Sequence, residues 1–374
     1  MKKIAIITLN GYYNYGNRLQ NYALQEVLKT YGFNVETILI KSKKENTIAP
    51  PLRQKIYNIL KSLFKNTKKG IWLLTHKRER LISEELRTKK FKDFTLKYIV
   101  EKDLNLSFDN VPANLSDMYD FFVAGSDQVW NPDFNNISPI YFLTFADAHK
   151  RLAYAPSFGI SQLKENVSEK YKIWLNEFNK LSVRENDGAK LIKELTGREA
   201  SVLADPTMLL SKEKWLEIAA SSEKIEKKYL LTYFLGEISK SDKKQINDIA
   251  KKNNLKIINL VDIREKSIYR TGPSEFVEYI NSCSILCTDS FHGMIFAILL
   301  EKPFIAYKRA GAWTAMYSRV TTLLDKFNLD CRKSENIVIN DQLFNVDYSH
   351  IPPVLDSERK KAFDYLNSCF LEEN

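Results

Sequence analysis

From Lys3 to Ile40 the chain passes through four pieces in a fixed order. Lys3-Ile4-Ala5-Ile6-Ile7-Thr8-Leu9 is a continuous apolar run, the pattern of a strand buried on both faces. A loop rich in Gly, Asn and Tyr follows, from Asn10 to Asn17. Leu19, Tyr22, Ala23, Leu24, Val27 and Leu28 then recur at helical spacing until Gly32. Asn34 to Ile40 is a second strand. Strand, helix, strand in that order calls for a helix laid across a parallel sheet. The opening therefore commits the chain to α/β architecture of the nucleotide-binding type.

The alternation returns further along. Strands are expected at Tyr119–Ala124, running into Gly125-Ser126-Asp127, and at Arg151–Pro156. A helix spans Val167–Phe178, a short strand Leu181–Arg184 feeds another helix, and Ala200–Leu203 closes at Asp205-Pro206. Lys212 to Ala220 reads as helix and the polar stretch Ser221–Lys228 as linker. A second block alternates strands Tyr229–Leu235, Leu255–Val261, Ile285–Thr288 and Phe304–Tyr307 with helices Ser239–Asn253, Ser274–Ser282 and Phe291–Leu300. After Pro352-Pro353 a last helix is expected over Ser357–Leu371. A length of 374 residues suits two domains or three. The boundaries expected are 1–220, 221–350 and a closing helix at 351–374, with a cleft between two doubly wound units.

The charge is uneven. The whole chain carries +10, but residues 41–100 hold 17 Lys+Arg against 5 Asp+Glu, and the remainder is nearly neutral. Within that segment Ile56, Ile59, Leu60, Leu63 and Phe64 recur at helical spacing among lysines, with Trp72 close by. That is the pattern of a basic helix on an anionic membrane surface, or of an insertion packing its apolar face on the first domain. The interleaved motifs of RNA readers are missing, which disfavours nucleic acid. No apolar stretch approaches the ~20 residues of a membrane span, and the N-terminal run is too short for a secretory signal. Cys283, Cys287, Cys331 and Cys369 suit buried free thiols, and Cys283 and Cys287 lack the further ligands of a zinc site. A cytoplasmic protein with no metal is expected, peripheral at the inner face of the cell membrane through residues 41–100.

Three strand ends carry polar clusters. Asn14-Tyr15-Gly16-Asn17-Arg18 opens the first helix, either as a plain turn or as a site for an anion or sugar hydroxyls. Gly125-Ser126-Asp127-Gln128-Val129-Trp130-Asn131-Pro132 sets four hydrogen-bonding side chains beside a Trp, which suits a sugar, or equally a capped helix start with a core Trp. Thr288-Asp289-Ser290-Phe291-His292-Gly293 places His292 in the first turn of an apolar helix, where anions are favoured and an imidazole serves as acid or base. Arg184 ends an apolar strand aimed at the cleft, and Lys308, Arg309 and Arg319 follow the His292 helix. These cations suit a small, highly charged substrate.

In this order the pieces resemble the polysaccharide pyruvyl transferase family. The resemblance rests on Asn14, Gly16, Asn17, Gln20 and Ala23, the run Gly125 to Pro132, Ser182-Val183-Arg184-Glu185, Asp205-Pro206-Thr207, Ser290-Phe291-His292-Gly293 and Lys302-Pro303. It implies two Rossmann-like domains facing a cleft, as in GT-B glycosyltransferases. It implies transfer of the enolpyruvyl group of phosphoenolpyruvate to a sugar hydroxyl pair, with no cofactor. The acceptor would be a sugar or a lipid-linked oligosaccharide. Arg184 would grip the donor and His292 act as acid and base, while Asp127 orients or deprotonates an acceptor hydroxyl. Ser290, Gly293, Lys308 and Arg309 would complete the donor side. Asn14, Gly16, Asn17, Gln20, Ser126, Gln128 and Trp130 would complete the acceptor side. Ser290 stands where some members of the family carry an Arg, so Lys308 or Arg309 would have to replace that cation. The competing expectation is a GT-B-like glycosyltransferase using a nucleotide sugar.

Overall fold

The computed structural model describes residues 1–41, 72, 75–133, 137–219, 228–309, 318–339 and 343–370. Its first half is built from β1 (Lys3–Ile7), α1 (Tyr15–Lys29), β2 (Asn34–Lys41), α2 (Lys77–Tyr98), β3 (Glu101–Ser107), β4 (Phe121–Asp127) and β5 (Arg151–Pro156). Helix α3 (Glu165–Asn176), the short parallel pair β6 (Ser182–Val183) and β7 (Ser201–Val202), α4 (Asn186–Thr196) and α5 (Lys212–Ile218) complete it. The second half holds β8 (Tyr229–Tyr233), α6 (Lys240–Lys252), β9 (Lys256–Asn259), α7 (Pro273–Ser282), β10 (Ile285–Thr288), α8 (Phe291–Leu299), β11 (Phe304–Ala306) and α9 (Ser318–Lys326). Helix α10 (Ile351–Phe370) ends the description.

Two parallel sheets organise the molecule. The first runs β3-β2-β1-β4-β5 and the second β11-β10-β8-β9. Both are doubly wound, so each has a point where the strand order reverses: between β1 and β4, and between β8 and β10. The strands there are mostly apolar, and β4, β5, β8 and β10 are buried along their whole length. Helix α8 is buried at all nine positions, as its sequence, apolar except for His292, requires. The α/β architecture read from the alternation is the architecture observed.

The halves share one apolar core. Ile4, Ile6, Leu19 and Val123 belong to the same buried cluster as Leu231, Phe276, Leu286 and Phe296. Its seam is aromatic. The Tyr15 ring stacks on Phe91 of α2 at 5.1 Å and on Phe276 of α7 at 4.4 Å. The Tyr15 hydroxyl accepts from Arg87 Nη1 and pairs with Thr271 Oγ1, both at 2.8 Å. At the far end α10 returns to the first sheet, packing Phe370 on Phe33 and Phe121.

Several expectations need correction. Strand β3 was not anticipated, because Glu101-Lys102-Asp103-Leu104-Asn105-Leu106-Ser107 is an edge strand with most residues facing water. Helix α9 was also missed. Helix α10 starts at Ile351, six residues early, because Pro352 and Pro353 fit a first turn that needs no N–H. Cys331 is exposed, unlike the other three free thiols. The basic segment is not wholly peripheral, since α2 drives Arg87, Phe91 and Phe94 into the core. The expected helix around Ile56–Phe64 and almost all of the Ser221–Lys228 linker lie outside the described residues. Among the described residues no helix is long and apolar enough to cross a membrane.

Candidate functional site

The residues that follow β1, β4, β8, β10 and β11 line a single cavity of about 590 Å³. It lies where doubly wound sheets present their ligand sites, outside the carboxyl ends of the strands at the switch points. From the first half come Asn10, Tyr13, Asn14, Asn17, Asp127, Gln128, Asn131 and Asp133. From the second come Ser290, Phe291, His292, Arg309 and Arg319.

His292 sits in the first turn of α8, against the start of α1. A Cβ on Gly16 would lie 2.1 Å from His292 Nδ1, so only a glycine lets the ring seat there. On its other side, His292 Nε2 lies 3.5 Å from Asp205 Oδ2. Asp205 is held from behind: Thr207 donates to it through its backbone N at 3.0 Å and its hydroxyl at 2.6 Å, and Arg184 Nη1 stands 3.2 Å away. Complete burial would raise the Asp205 pKa, but Arg184 and His292 outweigh it and hold the carboxyl well below its ordinary range. The imidazole is thus seated between Gly16 on one side and an ionised carboxylate 3.5 Å from its other nitrogen.

Ser290 caps α8, its hydroxyl accepting from Gly293 N at 3.3 Å. That leaves the N–H groups of Phe291 and His292 without an intrahelical acceptor at the cavity edge. Gly293 is spent inside the cap and does not line the cavity.

The cations divide into three kinds. Arg184, expected to face the cleft, is 3% exposed and stands behind the wall. It lies 3.5 Å from Asp127 and 3.2 Å from Asp205, and donates to Ser126 Oγ at 3.0 Å. Two carboxylates already neutralise it, so the structure gives it the work of fixing those acids. Lys308 is mostly exposed and pairs with Glu335 at 2.7 Å, away from the cavity lining. Arg309 lines the cavity with its Nε 3.1 Å from Asp289 Oδ2. Asp289 also accepts from the backbone N of Leu235 and Gly236, locking the β8 and β10 ends together.

Arg319 differs from all of these. It lines the cavity, is 6% exposed, makes no ion pair among the described residues, and its Nε has no hydrogen-bond partner. Burial, reinforced by Arg184, lowers its pKa to about 10, so it stays charged at neutral pH. Glu185 and Asp127 act on it only from beyond ion-pair distance, and a buried guanidinium with no directly paired carboxylate is costly unless something anionic completes it. The helix that carries it was not legible in the sequence, and only its proximity to Arg309 signalled it.

The first-half wall is held by a polar relay. Asn14 caps α1, accepting from Asn17 N at 3.4 Å. Gln20, buried and off the cavity, donates to Thr8 Oγ1 at 3.0 Å, and Thr8 donates to the Ser126 carbonyl at 2.9 Å. Ser126 and Gln20 therefore join the ends of β1 and β4 instead of facing a ligand. Asp127 projects from the β4 tip at a left-handed φ of 69°, a conformation that Asp tolerates better than most side-chain-bearing residues. Gln128 lines the cavity. Trp130 does not: it is fully buried, donates Nε1 to the Tyr141 carbonyl at 3.0 Å and stacks on Phe142. It is a core residue, and the sugar-covering role expected of it has no surface to act from.

The sequence matches the family described as Polysaccharide pyruvyl transferase over residues 14–310. No curated protein matches it significantly. Among solved structures, Anabaena HepE in complex with UDP and glucose superposes with TM-score 0.46 at 8% identity, covering 98% of this chain and 100% of that one. UDP-GlcNAc 2-epimerase from Methanocaldococcus jannaschii superposes with TM-score 0.47 at 10% identity, covering 98% and 99%. MurG from Acinetobacter baumannii superposes with TM-score 0.40 at 8% identity, covering 98% of each chain.

Proposed function

The chain belongs to the polysaccharide pyruvyl transferase family, and on that premise we propose that it moves the enolpyruvyl group of phosphoenolpyruvate onto two hydroxyls of one sugar in a surface polysaccharide or its precursor. The observation that carries this reading is the convergence of His292, Arg309 and Arg319 on one cavity. The donor bears a phosphate and a carboxylate on three carbons. A site for it needs at least two cations and a proton donor, and few other small substrates need all three so close together.

Protonation of the terminal enol carbon by His292 turns the adjacent carbon electrophilic. A sugar oxygen bonds there and its proton passes to a base, for which Asp127 is placed in the opposite wall. The carbon–oxygen bond to phosphate then breaks with its electron pair leaving on phosphate. The second sugar hydroxyl adds to the same carbon and loses its proton, which closes the ketal. The developing charge on phosphate is met by Arg319, Arg309 and the open N–H groups of α8. Arg319 takes the place of the cation that Ser290 lacks. Arg184 and Asp205 position the acids and the imidazole.

In this reading the enzyme works in the cytoplasm, and the basic segment 41–100 brings it to anionic lipid where precursors are assembled. Co-sedimentation with anionic but not neutral liposomes supports that part, and equal sedimentation with both removes it.

The test is phosphate release from phosphoenolpyruvate in the presence of a sugar acceptor, by wild type and His292→Ala. A positioned acid is worth ~10²–10⁴ in rate. Turnover of the variant within threefold of wild type would overturn the role. Thermal stabilisation by a UDP-sugar but not by phosphoenolpyruvate would favour glycosyl transfer instead, since a ligand at a hundred times its Kd adds ~2.7 kcal/mol.

A further inference from the structure

A second cavity of about 430 Å³ adjoins the first and shares Tyr13, Asn14 and Leu235 with it. Its far wall is the inserted helix α2, through Glu84, Arg87 and Thr88, together with Tyr269. The reaction does not need this space. Phosphoenolpyruvate and one pyranose are both small ligands, and a cavity of about 590 Å³ is ample for the pair.

The second cavity is chemically unlike the first. Its one buried lining cation, Arg87, has its Nη groups already directed at neutral protein oxygens. Arg87 Nη1 donates to the Tyr15 hydroxyl at 2.8 Å and to the Tyr269 carbonyl at 2.6 Å, and Nη2 reaches the Tyr13 carbonyl at 3.5 Å. The other charge on the lining is a carboxylate, Glu84, about half exposed and paired with Arg80 at 3.7 Å. Tyr13 is 69% exposed where the two cavities meet, so its ring is open to a ligand there. The Tyr269 ring is held by the Arg87 guanidinium 5.0 Å from its centre. Aromatic rings with a hydroxyl and a carboxylate fit the C–H faces and hydroxyls of a neutral sugar. Among the described lining residues the only guanidinium, Arg87, points its Nη groups at protein oxygens instead of into the cavity.

Resting on the reading above, we infer that this cavity is a second sugar subsite, so the acceptor is a neutral oligosaccharide that extends past the reacting sugar toward α2. A nucleotide-linked monosaccharide would place its diphosphate beside the Glu84 carboxylate, where Arg80 is already paired with Glu84 at 3.7 Å and the Arg87 Nη groups are directed at protein oxygens. The insertion then has a role in specificity: it builds a wall that a monosaccharide acceptor never touches.

The probes are oligosaccharides of one to four sugars, released by mild acid from the producing organism's surface glycan and thereby freed of any pyruvate ketal. Binding is read by calorimetry and turnover by phosphate release, with wild type, Tyr269→Ala and Glu84→Ala. The expected result is a KM at least tenfold lower for three sugars than for one. Tyr269→Ala should erase that gap and leave the KM for phosphoenolpyruvate unchanged. Equal KM for one and three sugars, or a Tyr269→Ala loss equal for both lengths, would overturn the subsite, as would stronger binding of a sugar diphosphate. Length-dependent binding without phosphate release would sustain the subsite and sink pyruvyl transfer. Phosphate release without length dependence would do the reverse.

Discussion

The two walls of the main cavity come from the two halves of the chain, and they are built from different chemistry. The wall from residues 9–141 offers Asn10, Asn14, Asn17, Gln128 and Asn131 with two carboxylates, Asp127 and Asp133, and no cation among the described lining residues. The wall from residues 235–319 offers His292 at an apolar helix start together with Arg309 and Arg319, and no carboxylate among the described lining residues. Amides and carboxylates read hydroxyls, whereas guanidiniums and free N–H groups read phosphate. One wall thus suits a neutral polyol and the other a small dianion. A transferase that joins those two substrates needs that division, and it needs the proton donor at the boundary, where His292 rests on Gly16 of the opposite half.

Substitutions separate the walls. The largest effect should come from His292→Ala, which is expected to lower kcat by ~10²–10⁴ with little change in the KM of either substrate. Gly16→Ala should come next. Its methyl would collide with the imidazole, and a displacement of about 1 Å can cost ~10² in rate. Because the glycine belongs to the first half and the histidine to the second, a fall in kcat with both KM values preserved would show that the boundary is one unit. Arg319→Ala should weaken phosphoenolpyruvate binding by ~10–150-fold, the equivalent of ~1.5–3 kcal/mol for a charge-assisted hydrogen bond. Arg319→Lys should recover part of it. Asn17→Ala should be the mildest, raising acceptor KM by a few fold without touching the donor.

Acid stability offers a check on the support behind the wall. The folded-state pKa of Asp205 lies below its ordinary value. Its contribution to stability is therefore complete above the unfolded value of ~3.9 and is lost as pH falls from there through the folded value. Thermal unfolding of Asp205→Asn and wild type should differ most near neutral pH and converge as pH drops below about 4. A constant difference across that range would mean that Arg184 and His292 do not hold Asp205 ionised.

Much of this arrangement can be read from the sequence, for a simple reason. Strands β1, β4, β8 and β10 are buried on both faces and so are written as continuous apolar runs, and the polar clusters after β1, β4 and β10 interrupt those runs where the sheets end. Three features escape that logic. Strand β3 is an edge, and its Glu101-Lys102-Asp103 start looks like loop. Trp130 sits among polar residues in sequence, yet its ring turns inward to Phe142 and Phe158, a choice made by tertiary packing. Cation roles depend on partners far away in the chain. Arg184 meets Asp205, Lys308 meets Glu335, and Arg319 meets no carboxylate within ion-pair distance, and no local pattern distinguishes these cases.

The division between the walls is tested most directly by calorimetric titration of phosphoenolpyruvate, without acceptor, into wild type, Arg319→Ala and Asn17→Ala. Binding should fall at least tenfold in Arg319→Ala and stay within twofold of wild type in Asn17→Ala. Equal losses in both variants, or no loss in Arg319→Ala, would contradict a donor held by the second half alone.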